Sequence, residues 1–165
     1  MSIPSSADDY GGVVHVCFVC TGNICRSPIA EKILVAELAD AGLSDRVRVT
    51  SAGTGAWHVG QPMDERSAGV LAAHGYDTTH VARQVDSEAL GADLIVALDH
   101  GHLDTLRRTV PEPERVRLLR SFDPEAGEDD EVPDPYYGGP DGFTEVVDMV
   151  RSAMPGLVEY VRDTA

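Results

Sequence analysis

Basic residues are scarce in this sequence: 13 Lys and Arg stand against 28 Asp and Glu, a formal net charge of −15 over 165 residues. Nucleic acid and anionic membrane surfaces both need clustered Lys and Arg, so neither is an expected partner. Cysteine is equally sparse. Three cysteines, an odd number, with two of them in one loop, exclude the disulfide framework of a small secreted domain and point to a reducing compartment. No uninterrupted apolar run approaches membrane-spanning length. The opening MSIPSSADDYGG has neither the basic nor the apolar region of a secretory leader, so the expectation is a soluble, cytoplasmic protein. Internal repeats and a second domain boundary are absent too. A hydrophobic content of 42% supports one domain, expected over 13–165, with residues 1–12 a small, polar, disordered tail.

What is present centres on Cys20-Thr21-Gly22-Asn23-Ile24-Cys25-Arg26-Ser27, between an apolar run ending at Val19 and a helical pattern opening at Pro28. A tight loop joins a thiol to a guanidinium, so backbone N–H groups can ring a tetrahedral anion of the phosphate or sulfate type while Arg26 closes the rim. Ser27 suits a helix N-cap and Pro28 the first helical position, aiming the positive end of the helix dipole at the same anion. Those donors favour a nucleophilic thiolate at Cys20. Each residue has a duller reading: Gly22 and Asn23 as a turn, Cys25 as a small core residue, Ser27 as an ordinary cap. The enclosing strand, turn, hydroxyl and helix together favour the phosphate cradle. A metal site made from His15, Cys17, Cys20 and Cys25 is disfavoured, because strand alternation sends Cys17 and Cys20 to opposite faces.

The run VVHVCFV at 13–19 is short, β-branched and apolar throughout, as a central parallel strand buried on both faces requires. A first crossover helix follows, with Ala30, Ile33, Leu34, Leu38 and Ala41 at helical spacing and Gly42 past its end. Val47 and Val49 mark a second strand. Helices are expected over Glu65–His74 and from His100 to Thr109, strands over Ala92–Leu98 and at VRLL (116–119). The final segment carries Phe143, Val146, Val147, Val150, Leu157, Val158 and Val161 on one helical face, and Pro155-Gly156 is expected to kink or split it. Strand and helix alternate, so the fold class is α/β, a doubly wound sheet with its site at the carboxyl edge of the strands.

Seven acids and no base lie within 123–134, so this loop supplies seven of the fifteen net negative charges. Such a run is by default a solvated loop. Asp134 differs from the others because Pro133 and Pro135 bracket it and restrict its direction. The acidic surface opposes an anionic substrate at long range, which favours phosphate-bearing substrates with basic or neutral surroundings.

The loop CTGNICRS, the helix start PIAE, the later TSAGTGAWHVG and above all DPYYG at 134–138 resemble the low-molecular-weight protein tyrosine phosphatase family, most closely its actinobacterial, mycobacterial-type members. The resemblance runs from about Val13 to the C-terminal helix and implies a four-stranded parallel sheet. It implies hydrolysis of phosphotyrosine in a protein or peptide through a phosphocysteine intermediate. Cys20 would attack, Arg26 and the loop from Thr21 through Gly22, Asn23, Ile24 and Cys25 would bind phosphate oxygens, and Ser27 would assist the sulfur as leaving group. Asp134 would be the general acid. Ile24, Trp57, His58, Tyr136 and Tyr137 would wall a slot for an aromatic ring, although a lone tryptophan without that context more often packs on a core. Ser51 and His80 would hold Asn23 in a strained conformation, and Asp99 would support the site. By itself His80 reads as an ordinary surface residue. His102 departs from the asparagine found in many relatives. Tyr136 and Tyr137 are also candidate targets of a tyrosine kinase, as happens in relatives, some of which are exported without a leader.

No cofactor and no metal are called for, since the cradle supplies the electrostatic role. Cys25 is placed to trap an oxidised Cys20 as a reversible disulfide. An arsenate reductase would need cysteines beyond the cradle, and residues 26–165 contain none. A catalytically silent phosphate-binding or docking module is the remaining alternative. Such a module would be expected to have lost the thiol, the arginine or the acid, and all three are present.

Overall fold

The first strand, β1 (Val14–Cys20), is buried at every position, which is what its unbroken apolar run demands of a strand covered on both faces. Around it the chain forms α1 (Arg26–Asp40), β2 (Val47–Gly53), α2 (Glu65–Ala73), α3 (Ser87–Leu90), β3 (Leu94–Ala97), α4 (His100–Thr109), β4 (Val116–Leu118) and α5 (Asp141–Thr164). The computed structural model describes residues 13–128, 130–136, 138 and 141–164. The expected tail at 1–12 and the pocket residue Tyr137 lie outside the described residues.

The four strands pair in parallel in the order β2-β1-β3-β4. Cys20 pairs with Gly53 and Val19 with Ala97, so the strands end together and their loops share one edge. Period-two alternation then divides β1 between two cores. Val14, Val16, Phe18 and Cys20 pack with Ile29, Ile33 and Leu34 of α1 and with Phe143, Val147 and Leu157 of α5. Cys17 and Val19 face the other way, with Ile95, Ala97, Leu103 and Leu106. The expected divergence of Cys17 and Cys20 is therefore observed. Phe18 is fully buried, and truncation to alanine would cost about 3–5 kcal/mol.

Of the two outcomes expected at Pro155-Gly156, the split does not occur: α5 is continuous over 24 residues with Pro155 inside it. Gly156 serves the packing there, because a Cβ would sit 2.2 Å from the Phe122 carbonyl oxygen and the helix could not approach the 3-10 turn Leu119–Phe122. Ser27 is not a cap. The helix starts two residues earlier than expected, at Arg26, behind Cys25, with no side-chain capping bond, and Pro28 is its third residue. The polar stretch before β3 contains the short helix α3, capped by Asp86, whose carboxylate accepts from the Ala89 amide. Among the described residues, no helix is long and apolar enough to cross a membrane.

Candidate active site

Since β1 is buried at the centre of the sheet, its last residue is delivered to the floor of a cleft at the carboxyl edge. Cys20 is 3% exposed, and its Sγ lies 2.9 Å from Ser27 Oγ and 3.4 Å from the Ser27 amide. Ser27 can make both contacts because it sits in the first turn of α1, where backbone N–H groups have no partner within the helix. The cleft measures about 440 Å³ and is lined by Cys20, Thr21, Gly22, Ile24, Cys25, Arg26, Trp57, His58, Asp134 and Tyr136.

Asn23 fixes the shape of the loop. It is fully buried at φ 58°, the only described non-glycine residue with a positive φ, a region that costs an ordinary side chain about 1–3 kcal/mol. Its carboxamide is satisfied on every side: Nδ2 donates to Ser27 Oγ (2.8 Å) and Ser51 Oγ (2.9 Å), and Oδ1 accepts from the Arg83 amide (2.9 Å). His80 Nε2 lies 2.7 Å from the Asn23 carbonyl oxygen. Burial lowers the His80 pKa, although that hydrogen bond opposes the shift, so the ring is neutral at pH 7 and donates Nε2–H. Ser51 in turn donates to Glu31 of α1, a partner the sequence did not suggest.

Arg26 is buried, and one nitrogen of its planar fork serves two anchors. Nη1 donates to Asp99 Oδ2 and to the Val132 carbonyl, both at 2.9 Å. Burial works against the Asp99 charge, but the His102 amide and Arg26 outweigh it and hold the carboxyl below its usual range. Val132 is itself buried, and its amide donates to the Leu98 carbonyl at 2.8 Å. The segment leading to Asp134 is thus stitched to the end of β3.

Asp134 enters the cleft from the opposite side. Its Oδ1 accepts from the Tyr136 amide at 3.0 Å, an Asx-type turn that Pro135 favours, and its Oδ2 lies 3.8 Å from Arg26 Nη2. Its side chain is half-exposed, with the Arg26 guanidinium as a charged neighbour. Arg66 braces the next residue: Nη1 donates to the Tyr136 carbonyl at 3.0 Å, and the guanidinium lies over the Phe143 ring at 4.6 Å.

The walls are aromatic. Trp57 is 72% exposed, and its ring lies on Gly55, where a Cβ would come within 1.6 Å of it; only glycine leaves room for this placement. His58 Nδ1 lies 2.9 Å from Gln61 Oε1, and its ring centroid is 6.5 Å from that of Tyr136. Cys25 shares the cleft, and burial, helped by the nearby Asp64 charge, pushes its thiol up to about 12.

Sequence reasoning misses Val132, Glu31 and Arg66, and marks His102, three residues after Asp99, only as a departure from the asparagine of many relatives.

A parallel α/β sheet that carries a thiol, a five-residue loop and a guanidinium at its carboxyl edge defines the class of cysteine-based phosphatases. The chain belongs to the low molecular weight phosphotyrosine protein phosphatase family, whose model matches residues 15–165. Low molecular weight protein-tyrosine phosphatase A of Mycobacterium bovis is 58% identical over 149 residues, covering 90% of this chain and 91% of that protein. The low molecular weight protein-tyrosine-phosphatase of Streptomyces coelicolor is 55% identical over 154 residues, covering 90% and 94%. Among solved structures, a protein tyrosine phosphatase from Entamoeba histolytica superposes with a TM-score of 0.86 at 33% identity, covering 91% of this chain and 97% of that one.

Proposed function

We propose that this protein hydrolyses phosphotyrosine in proteins or peptides through a phosphocysteine intermediate. The observation that carries the reading is the convergence of Cys20, Arg26 and Asp134 on one cleft with aromatic walls. Cys20 Sγ attacks phosphorus, and the bond to the tyrosyl oxygen breaks as Asp134 gives that oxygen a proton. Asp134 then takes a proton from water, whose oxygen attacks phosphorus and releases Cys20 as thiolate and inorganic phosphate. Arg26 and the loop from Thr21 to Cys25 stabilise the equatorial oxygens, on which charge redistributes in the transition state. Ser27, 2.9 Å from the sulfur, donates to the departing thiolate. Ser51, His80 and Asp99 act at one remove, through Asn23 and Arg26.

Ile24, Trp57, His58 and Tyr136 form a slot for a flat ring, which favours phosphotyrosine over the shorter phosphoserine. Tyr136, at 36% exposure, is accessible to a tyrosine kinase, and a phosphate there would stand at the cleft mouth. The reducing cytoplasm suits a free nucleophilic thiol, and all three cysteines are unpaired.

The test is turnover of matched phosphotyrosine and phosphoserine peptides under chelation, with Cys20→Ser as control. Chelator-resistant, tyrosine-selective hydrolysis that disappears in Cys20→Ser is the expected result. Phosphate binding without turnover in the wild type would replace this reading with the silent docking module.

A further inference from the structure

A buried side chain that the proposed chemistry does not use lies directly behind the cradle. His102, in the first turn of α4, is only 7% exposed, and its two ring nitrogens face the two ends of the phosphate loop. Nε2 lies 2.9 Å from Thr21 Oγ1, on the residue after the nucleophile. Nδ1 lies 3.1 Å from Asp99 Oδ1, whose other oxygen accepts from Arg26 Nη1 at 2.9 Å. The Nδ1 contact is off-line for a hydrogen bond, and that nitrogen has no other partner among the described residues.

Helix packing alone does not account for this. Leu103 and Leu106 supply the apolar contacts of α4, and an imidazole costs more to bury than a leucine would. Asp99 also needs nothing from the ring to cap the helix, since Oδ1 already accepts the His102 backbone amide at 2.9 Å. The ring's distinctive contact is Thr21. That residue is exposed, and its hydroxyl would rotate freely without a buried partner. Both contacts are attractive when a neutral ring carries its proton on Nδ1, towards the carboxylate, and accepts the Thr21 hydroxyl at Nε2.

We infer that His102 is a positioning residue for the cradle: it joins Thr21 to the Asp99 carboxylate that orients Arg26, so that one buried cluster sets both ends of the loop. The inference rests on the phosphatase reading of the same site, but its prediction concerns phosphate affinity, which can be measured without turnover.

The experiment measures inorganic phosphate binding by phosphorus NMR titration, with aryl phosphate turnover alongside, in wild type, His102→Ala, His102→Gln, Thr21→Val, Thr21→Ser and the double variant Thr21→Val/His102→Ala. His102→Ala and Thr21→Val should each weaken phosphate about tenfold, the scale of one net hydrogen bond. The double variant should be no worse than either single, because both remove the same link. Glutamine at 102 and serine at 21 should retain most of the affinity. Single effects that multiply in the double variant, or a His102→Ala protein that melts earlier yet binds phosphate within twofold of wild type, would overturn the inference. Should His102→Ala not fold, Thr21→Val against Thr21→Ser decides: equal affinities refute the link. A wild type that binds phosphate and hydrolyses nothing defeats the phosphatase reading and leaves the affinity comparison to decide this one.

Discussion

Arg26 Nη1 donates to the carbonyl of Val132 at 2.9 Å, two residues ahead of Asp134. The guanidinium proposed to hold the phosphate therefore also anchors the segment that presents the acid. Lysine at 26 keeps the charge but loses the planar fork, so it cannot serve Asp99, Val132 and an anion at once. Arg26→Lys should lower kcat/KM by about 10²–10³, in the range seen when a transition-state donor is removed. Steady-state kinetics on phosphotyrosine peptide check this, and a loss below threefold would show that the fork is not used.

Asp134 has a more selective signature. A general acid matters in proportion to how badly the leaving group needs its proton. Asp134→Ala should cost about 10²–10⁴ with tyrosyl or alkyl leaving groups and far less with a strongly activated phenol. A plot of log kcat/KM against leaving-group pKa should steepen in the variant. Equal losses across the series would refute the assignment.

Ser27 touches both the nucleophile and Asn23, at 2.9 and 2.8 Å. Removing its hydroxyl should harm the second step more than the first, because the departing thiolate loses its donor. Rapid-quench kinetics on Ser27→Ala should show a burst of phenol close to one per active site, followed by turnover slowed at least tenfold, the worth of a hydrogen bond to a charged group. Slow, burst-free turnover would place the damage in the first step instead.

The parts of the fold and site that could be read from sequence are those encoded locally. VVHVCFV announces a buried strand by composition alone, and the helix expected from His100 to Thr109 is observed with those bounds. Ser27 was misread as a cap because capping preference assumes that the hydroxyl's partner is the helix's own amide; here the Cys20 sulfur and Asn23 compete for it. Pro155-Gly156 looked like a break because the Phe122 carbonyl, which makes glycine useful there, is 34 residues away in sequence. His102 and Val132 meet partners 81 and 106 residues distant, and no periodicity reports such a juxtaposition.

Cys25 bears on oxidation. Condensation of a Cys20 sulfenic acid with the Cys25 thiol would form the S–S bond and release water, but the attacking species is the thiolate. With that thiol pushed up to about 12, little thiolate exists at pH 7. After peroxide, disulfide formation should accelerate as pH rises from 7 to 9, and sulfinylated Cys20 should prevail at the lower pH. Mass mapping of quenched samples checks this. Sulfinylated Cys20 with no Cys20–Cys25 link at any pH would rule out the protective role.

Histidine protonation should set the acid limb of stability. Burial lowers the pKa of His15, His80 and His102 below the ordinary 6.5. Such groups take up protons more readily in the unfolded chain, so their contribution is intact above pH 6.5 and is lost as pH falls below it. His100 has the opposite sign, raised first by its bond to Asp130 and so stabilising on the acid side, but it is exposed and its pair is solvent-screened. The urea midpoint should therefore fall between pH 7 and 5. His80→Gln keeps a donor for the Asn23 carbonyl without a titrating ring, so the fall should be shallower in that variant. Parallel profiles for the two proteins would show that His80 titrates alike folded and unfolded, contrary to its burial against Asn23.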